Sequence, residues 1–319
     1  MSTKHCTGIL ILNYNNWEDT INCIMSVEKY NTAGIKYIVI DNGSTNKESV
    51  ERINHFLLKT FGGDYKRVAP GRKYKCLPRV SFCANPKNMG YAQGNNIGLD
   101  LAYEDEDIDE ILVLNNDILF VQDIIPKLRE KIYTIPDCGI VSPVLYTKGL
   151  EQIDYNCARH ELNPWELIVA YLFMYKDVCG VLSSFQRNQH FLIGNEDMLN
   201  NEIIKIELPS GSCMLFKKEI MRGLNSFDPN TFLYYEEDIL HQKLKSVHLN
   251  NYLVTSCKCI HLGASSTSKT PSAFALSCQF SSSIYYIKKY VKLSFVQSVL
   301  FKVGTHLFPL KLWLIKKFK

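Results

Sequence analysis

The sequence predicts an α/β fold: an open, mostly parallel sheet with helices on both faces. Short apolar runs alternate with stretches of helical periodicity through roughly the first 115 residues, the pattern of successive βαβ units. The runs are continuously apolar rather than alternating, as strands covered on both faces require. Composition agrees, because 319 residues with 46% hydrophobic side chains and 17 glycines describe an ordinary globular chain. Collagen-like, coiled-coil and low-complexity architectures are excluded.

Gly8-Ile9-Leu10-Ile11-Leu12-Asn13-Tyr14 is the first expected strand. Trp17, Ile21, Ile24, Met25 and Val27 recur at helical spacing over 17–30, and Tyr37-Ile38-Val39-Ile40 is the second strand. A weaker helix near 47–59, a strand at Val80–Ala84, a helix near 91–103 and a strand at Ile111–Leu114 continue the series. From about 145 to 205 the alternation dissolves into an aromatic-rich stretch around Trp165–Phe173, which reads as an insertion. Glu207–Phe216 reads as one more strand, and the aromatic run after Phe227 ends in Glu236-Glu237-Asp238. Acidic residues there suit the first turn of a helix.

In open α/β sheets ligands bind beyond the carboxyl ends of the strands. Three such junctions are polar: Asn13-Tyr14-Asn15-Asn16, Asp41-Asn42-Gly43-Ser44 and Asn115-Asn116-Asp117. Each taken singly is equally consistent with a turn or a helix cap. The glycine-containing stretch Asn88–Asn96 precedes a helix whose N-terminal N–H groups suit a phosphate. Neither G-x-G-x-x-G nor G-x-x-x-x-G-K-[ST] occurs, which argues against dinucleotide oxidoreductases and P-loop NTPases.

The net charge of +4 conceals an asymmetry. The 81 residues after Asp238 hold 12 lysines and no acid, whereas the 24 basic residues before them face all 32 acids, a net of −8. The tail, with Phe, Leu and Trp between its lysines, reads as an interfacial amphipathic segment on an anionic membrane. Eleven cysteines without framework spacing, and an N-terminus without the apolar core of a signal peptide, fit a reducing cytosol. Cys257-Lys258-Cys259 with His261 resembles part of a zinc site, but no second ligand pair follows at finger or ribbon spacing.

Ile11-Leu12-Asn13-Tyr14-Asn15, Ile40-Asp41-Asn42-Gly43-Ser44, Asn88-Met89-Gly90-Tyr91 with Gly94-Asn95-Asn96, Leu114-Asn115-Asn116-Asp117, Pro209-Ser210-Gly211, Phe232–Asp238 and His261-Leu262-Gly263 follow one another in order. Together they resemble the family 2 glycosyltransferases, in particular the bacterial rhamnosyltransferase-like branch. The resemblance implies a GT-A-like fold with a Rossmann-like nucleotide-binding half. It places a catalytic domain over 1–265, with the 145–205 insertion on the acceptor side, and a basic amphipathic helical segment over 266–319.

Carried over by position, the resemblance implies that Asn13, Tyr14 and Asn15 border the nucleotide and that Asp41 contacts the base. Asn88, Gly90 and Asn95 would line the diphosphate. Asn115-Asn116-Asp117 would be the D-x-D equivalent, with Asp117 and His261 holding Mn²⁺ or Mg²⁺. The acidic pair supplies the base in this family; Glu237 is the first choice, with Glu236 and Asp238 behind it. Adjacent helical residues point about 100° apart, so only one of them can face the site. Phe232, Tyr234 and Tyr235 either stack on a sugar or fill the core.

The expected activity is inverting, metal-dependent transfer of a sugar from a nucleotide-diphosphate donor, dTDP-rhamnose or a UDP-hexose. The expected acceptor is a hydroxyl of a cell-surface polysaccharide or lipid-linked oligosaccharide, with no nucleic-acid partner. The expected location is cytoplasmic, peripheral on the inner face of the membrane. A catalytically inactive nucleotide-sugar-binding protein of the same fold and a sugar nucleotidyltransferase are the alternatives.

Overall fold

The computed structural model describes residues 5–30, 32–147, 150–173, 189–263 and 273–317. Residues 148–149 and 174–188 of the expected insertion, 264–265 at the end of the expected catalytic domain, and 266–272 and 318–319 of the expected tail lie outside them.

The first half follows the expected alternation: β1 (Cys6–Asn13), α1 (Trp17–Glu28), β2 (Ile35–Asp41), α2 (Lys47–Phe61), β3 (Tyr65–Arg67), β4 (Val80–Ala84), α3 (Gly90–Glu104) and β5 (Ile108–Asn115). β3, β4, β2, β1 and β5 lie side by side and all pair in parallel. Ile9, Leu10, Ile11, Ile38, Val39 and Ile40 are fully buried, which is why these strands read as unbroken apolar runs. Asn16 and Asn46 cap α1 and α2 by accepting from the Asp19 and Glu48 amides. Part of the polarity after β1 is therefore helix capping.

Beyond β5 come β6 (Ile118–Phe120), α4 (Ile125–Thr134), β7 (Cys138–Tyr146), β8 (Ala158–Arg159), α5 (Pro164–Leu172), β9 (Ile203–Ile206), β10 (Leu208–Pro209), β11 (Cys213–Lys217), α6 (Lys218–Gly223), α7 (Glu236–Ser246) and β12 (Asn250–His261). Here the sheet becomes mixed, because β11 inserts antiparallel between β5 and β7, and β12 pairs parallel with β7 but antiparallel with β6 and β9. The single strand expected over Glu207–Phe216 is two. Leu208–Pro209 joins β8 in a small separate sheet, and the Ser210-Gly211-Ser212 turn redirects the chain into β11. Pro209 has no N–H to continue a ladder, and glycine with serine favours the turn.

Two C-terminal helices, α8 (Ala273–Tyr290) and α9 (Phe295–Lys317), complete the chain. Leu167, Ile168 and Tyr171 of α5, Ile239 of α7, Tyr286 and Ile287 of α8 and Phe301 of α9 form a second apolar cluster beside the main core. Asp228 ties α8 down by accepting from Tyr285, Lys289 and Tyr290 at 2.9, 2.9 and 2.6 Å. Among the described residues no helix is long and apolar enough to cross a membrane.

Candidate active site

The carboxyl end of β1 is a buried polar hub. Asn13 donates to Asp41 Oδ2 at 2.7 Å and to the Ser49 hydroxyl at 3.2 Å, and its Oδ1 accepts from Thr20. The other oxygen of Asp41 accepts from the Ser44 amide at 3.0 Å, and Asn13 and Asp41 are almost wholly buried. Asn13, Asp41 and Ser44 thus form one hydrogen-bonded set beneath the loop that carries Tyr14 and Asn15. Tyr14 is 43% exposed.

The start of α3 is internally bonded in the same way. Asn95 is buried, donating to Tyr91 O, and Asn88 Oδ1 accepts from the Gly90 amide and from Asn42. The Tyr91 amide, which would greet a phosphate, donates to Phe232 O at 2.8 Å. Gly90 has φ +78°, and a Cβ there would overlap the Phe232 carbonyl, so this glycine serves a backbone-to-backbone contact. The segment before α7 is thereby fastened to the start of α3 through the Phe232 carbonyl.

Antiparallel pairing of β6 with β12 sets His261 opposite Ile118 and lets the Leu262 amide donate to Asp117 O. His261 Nε2 then lies 3.4 Å from Asp117 Oδ2, while its Nδ1 lies 2.8 Å from Asp154 Oδ2. Asp154 is buried and also accepts from the Asn156 amide. Burial opposes charging His261, but the hydrogen bonds to Asp117 and Asp154 outweigh it and hold its pKa near 9. Asn115 and Ser212 meet beside this pair, and Asn116 donates to Thr20 and Asn16 O. A cavity of about 600 Å³ opens here between Asp117, Asp154, Ser212 and His261.

These residues fit a divalent cation. Asp117 Oδ1 is buried without a hydrogen-bond partner, and a Cβ on Gly263 would overlap Asp117 Oδ2. One carboxylate and one imidazole oriented by a second carboxylate form a donor set suited to Mn²⁺ or Mg²⁺ with phosphate oxygens completing the shell. Among the described residues the trio whose ligand atoms lie closest is elsewhere, His5, Asp109 and Glu110 at the amino ends of the strands. Glu110 there is bound to Thr7, Arg129 and Tyr133, so a metal would compete with a guanidinium. Cys257 and Cys259 are buried in the core and gather no ligand set among the described residues.

The second corner is the N-terminus of α7. Tyr234 and Tyr235 both hold left-handed backbone, at φ +73° and +70°, a strained entry into α7. Glu237 Oε1 accepts from the Gly211 amide at 3.0 Å, and Oε2 lies 3.7 Å from Arg159 Nη2. Glu236 and Asp238 are both buried. Burial, reinforced by Glu237, pushes Glu236 up to about 8, and burial pushes Asp238 up to about 6 against the pull of Arg159. A cavity of about 440 Å³ is lined by Arg159, Ser210, Tyr234, Glu237, Asp238 and His261, with Leu167 and Ala170 of α5 and Gln279 of α8 on its other walls. His261 thus borders both cavities. Arg159, Asp154 and Gln279 carried no motif, so sequence reading passed over them.

A model of glycosyl transferase family 2 matches residues 8–224. The chain belongs to that family. The low-salt glycan biosynthesis hexosyltransferase Agl10 of Haloferax volcanii is 21% identical over 232 residues, covering 72% of this chain and 58% of that protein. Among solved structures, GalNAc-T7 with UDP, GalNAc and Mn²⁺ aligns with TM-score 0.55 and 14% identity over 82% of this chain and 44% of that one. The mannosyltransferase PcManGT of Pyrobaculum calidifontis, in complex with GDP-Man and Mn²⁺, aligns with TM-score 0.53 and 12% identity over 88% and 64%. The chain spans less than two thirds of the length of each. At such identities the likeness to the two structures is one of fold, and that fold is GT-A-like.

Proposed function

We propose that this family 2 chain is an inverting glycosyltransferase that takes a hexose or deoxyhexose from a nucleoside diphosphate. The observation that carries the reading is the common corner at His261, where the Asp117–His261 pair and the Glu237 carboxylate open onto adjoining cavities. Asp117 and His261 would hold Mn²⁺ or Mg²⁺, which when bound neutralises charge developing on the leaving diphosphate. Glu237, fixed by the Gly211 amide, accepts the proton of an acceptor hydroxyl as its oxygen bonds to the anomeric carbon. The bond from that carbon to the diphosphate oxygen breaks on the opposite face, and the nucleoside diphosphate departs. Glu237 is assigned as the base because its carboxylate is held by the Gly211 amide at the cavity wall, with Asp238, which lines the same cavity, next in line. The relative's description as a hexosyltransferase, the GDP-Man of one solved complex and the UDP and GalNAc of the other support the donor class; dTDP-rhamnose and UDP-hexoses are the first to try. The acceptor is a saccharide hydroxyl, free or lipid-linked.

A thermal-shift screen of nucleotide sugars with Mn²⁺ and Mg²⁺ identifies the donor. Glu237→Gln then keeps donor binding but loses transfer by about 10²–10⁴-fold. Full transfer by Glu237→Gln, or turnover undiminished by Asp117→Ala and excess chelator, overturns the reading.

A further inference from the structure

The last helix carries a surface that sugar transfer leaves unused. One side of α9 packs on α5 through Phe301 and Gly304, where a Cβ on Gly304 would stand 2.8 Å from Tyr171 Cβ. The opposite side carries Phe295, Val296, Val299, Val303, Leu307 and Leu310, between 37% and 84% exposed. At about 100° per residue these six fall within about 120° of arc, an apolar stripe interrupted by the exposed His306. Lys302 is exposed at its edge, and Lys288 is exposed on α8. Residues 273–317 contain seven lysines and no acidic residue.

The charge pattern selects the occupant. A second copy docked through the same face would bring two acid-free lysine sets together, which is unfavourable. An anionic lipid interface answers both features: the acyl boundary takes Phe295, the valines and the leucines, and the headgroups take the lysines. We propose that α9 lies in the plane of an anionic membrane with its Phe295–Leu310 stripe buried at the headgroup boundary. α5 separates α9 from the cavity that holds Glu237, since its Leu167 and Ala170 line that cavity while Tyr171 meets α9. Two helices, α5 and α9, therefore stand between the cavity and the lipid-facing stripe, a span of about 20 Å that a lipid-borne acceptor would have to reach across. This last step rests on the glycosyltransferase reading, whereas membrane binding stands apart from it.

The full chain is sedimented with phosphatidylcholine vesicles with and without phosphatidylglycerol, at low and high salt. Partitioning onto the anionic vesicles is expected to exceed that onto neutral ones by at least about tenfold and to collapse at high salt. Val299→Asp with Val303→Asp should reduce it at least about tenfold at an unchanged melting temperature, and Lys302→Glu should reduce it less. Equal partitioning onto both vesicles, or full partitioning by the double variant, overturns the proposal. So does a dimer of the unaltered chain that the double variant dissolves without any vesicle binding. Transfer to a soluble acceptor by the double variant at the normal rate separates this question from the catalytic one.

Discussion

Asp154→Asn isolates the role of a residue that no motif announced. In the structure Asp154 Oδ1 accepts from the Asn156 amide at 3.1 Å and from the Asn156 side chain at 2.9 Å, and Oδ2 faces His261 Nδ1 at 2.8 Å. An asparagine keeps its oxygen on those two donors, which turns its NH₂ toward His261. Nδ1 must then accept, so the neutral ring carries its proton on Nε2, the nitrogen that faces Asp117. A protonated Nε2 cannot bind metal. Loss of such an orienting partner weakens metal binding by about 10–100-fold, about 1.4–2.8 kcal/mol. The assay is calorimetric titration of Mn²⁺ in the presence of nucleoside diphosphate, with Asp117→Ala as the control that removes binding. Asp154→Asn affinity within twofold of the unaltered chain, while Asp117→Ala has lost binding, would falsify the orienting role. Retention by both variants would remove the metal site itself.

Other expectations follow from the packing around the site. Glu236 sits near pKa 8 in the folded chain against 4.5 ordinarily, so the folded state holds a proton the unfolded chain has lost; its stabilising share is full below about 4.5 and disappears as pH rises through about 8. Its titratable neighbours are Glu237 and Asp238, with Tyr91, Tyr234 and Cys278 from the surrounding segments. Glu236→Gln should therefore melt close to the unaltered chain near pH 5, an estimate from that window, and increasingly above it toward pH 8; an offset independent of pH across this range would contradict the assignment. Gly90→Ala should destabilise by more than about 1 kcal/mol from the left-handed backbone alone, with further loss from the Phe232 contact. Denaturant unfolding measures it, and an unchanged midpoint would show that the 232–237 segment yields instead.

The parallel half of the sheet was legible because its strands are buried on both faces and each helix between them closes a local unit. β12 was not: Asn250–His261 mixes asparagine, serine and lysine with apolar residues, and its partners β7, β6 and β9 are distant in sequence. For the site, the order of motifs placed Asp117, Glu237 and His261 in one family pattern, and the structure brings these three to adjoining cavities. The polar residues around them were another matter. Whether Asn13 and Asp41 face a ligand or each other depends on rotamers chosen across 28 residues of chain, and whether the α3 amides are free depends on a carbonyl at Phe232. Residue type and local spacing determined the strands, the helices and the carboxylates available for chemistry. Only the tertiary structure decided which of those groups satisfy one another and which are left open, because a hydrogen bond between distant segments leaves no periodicity behind.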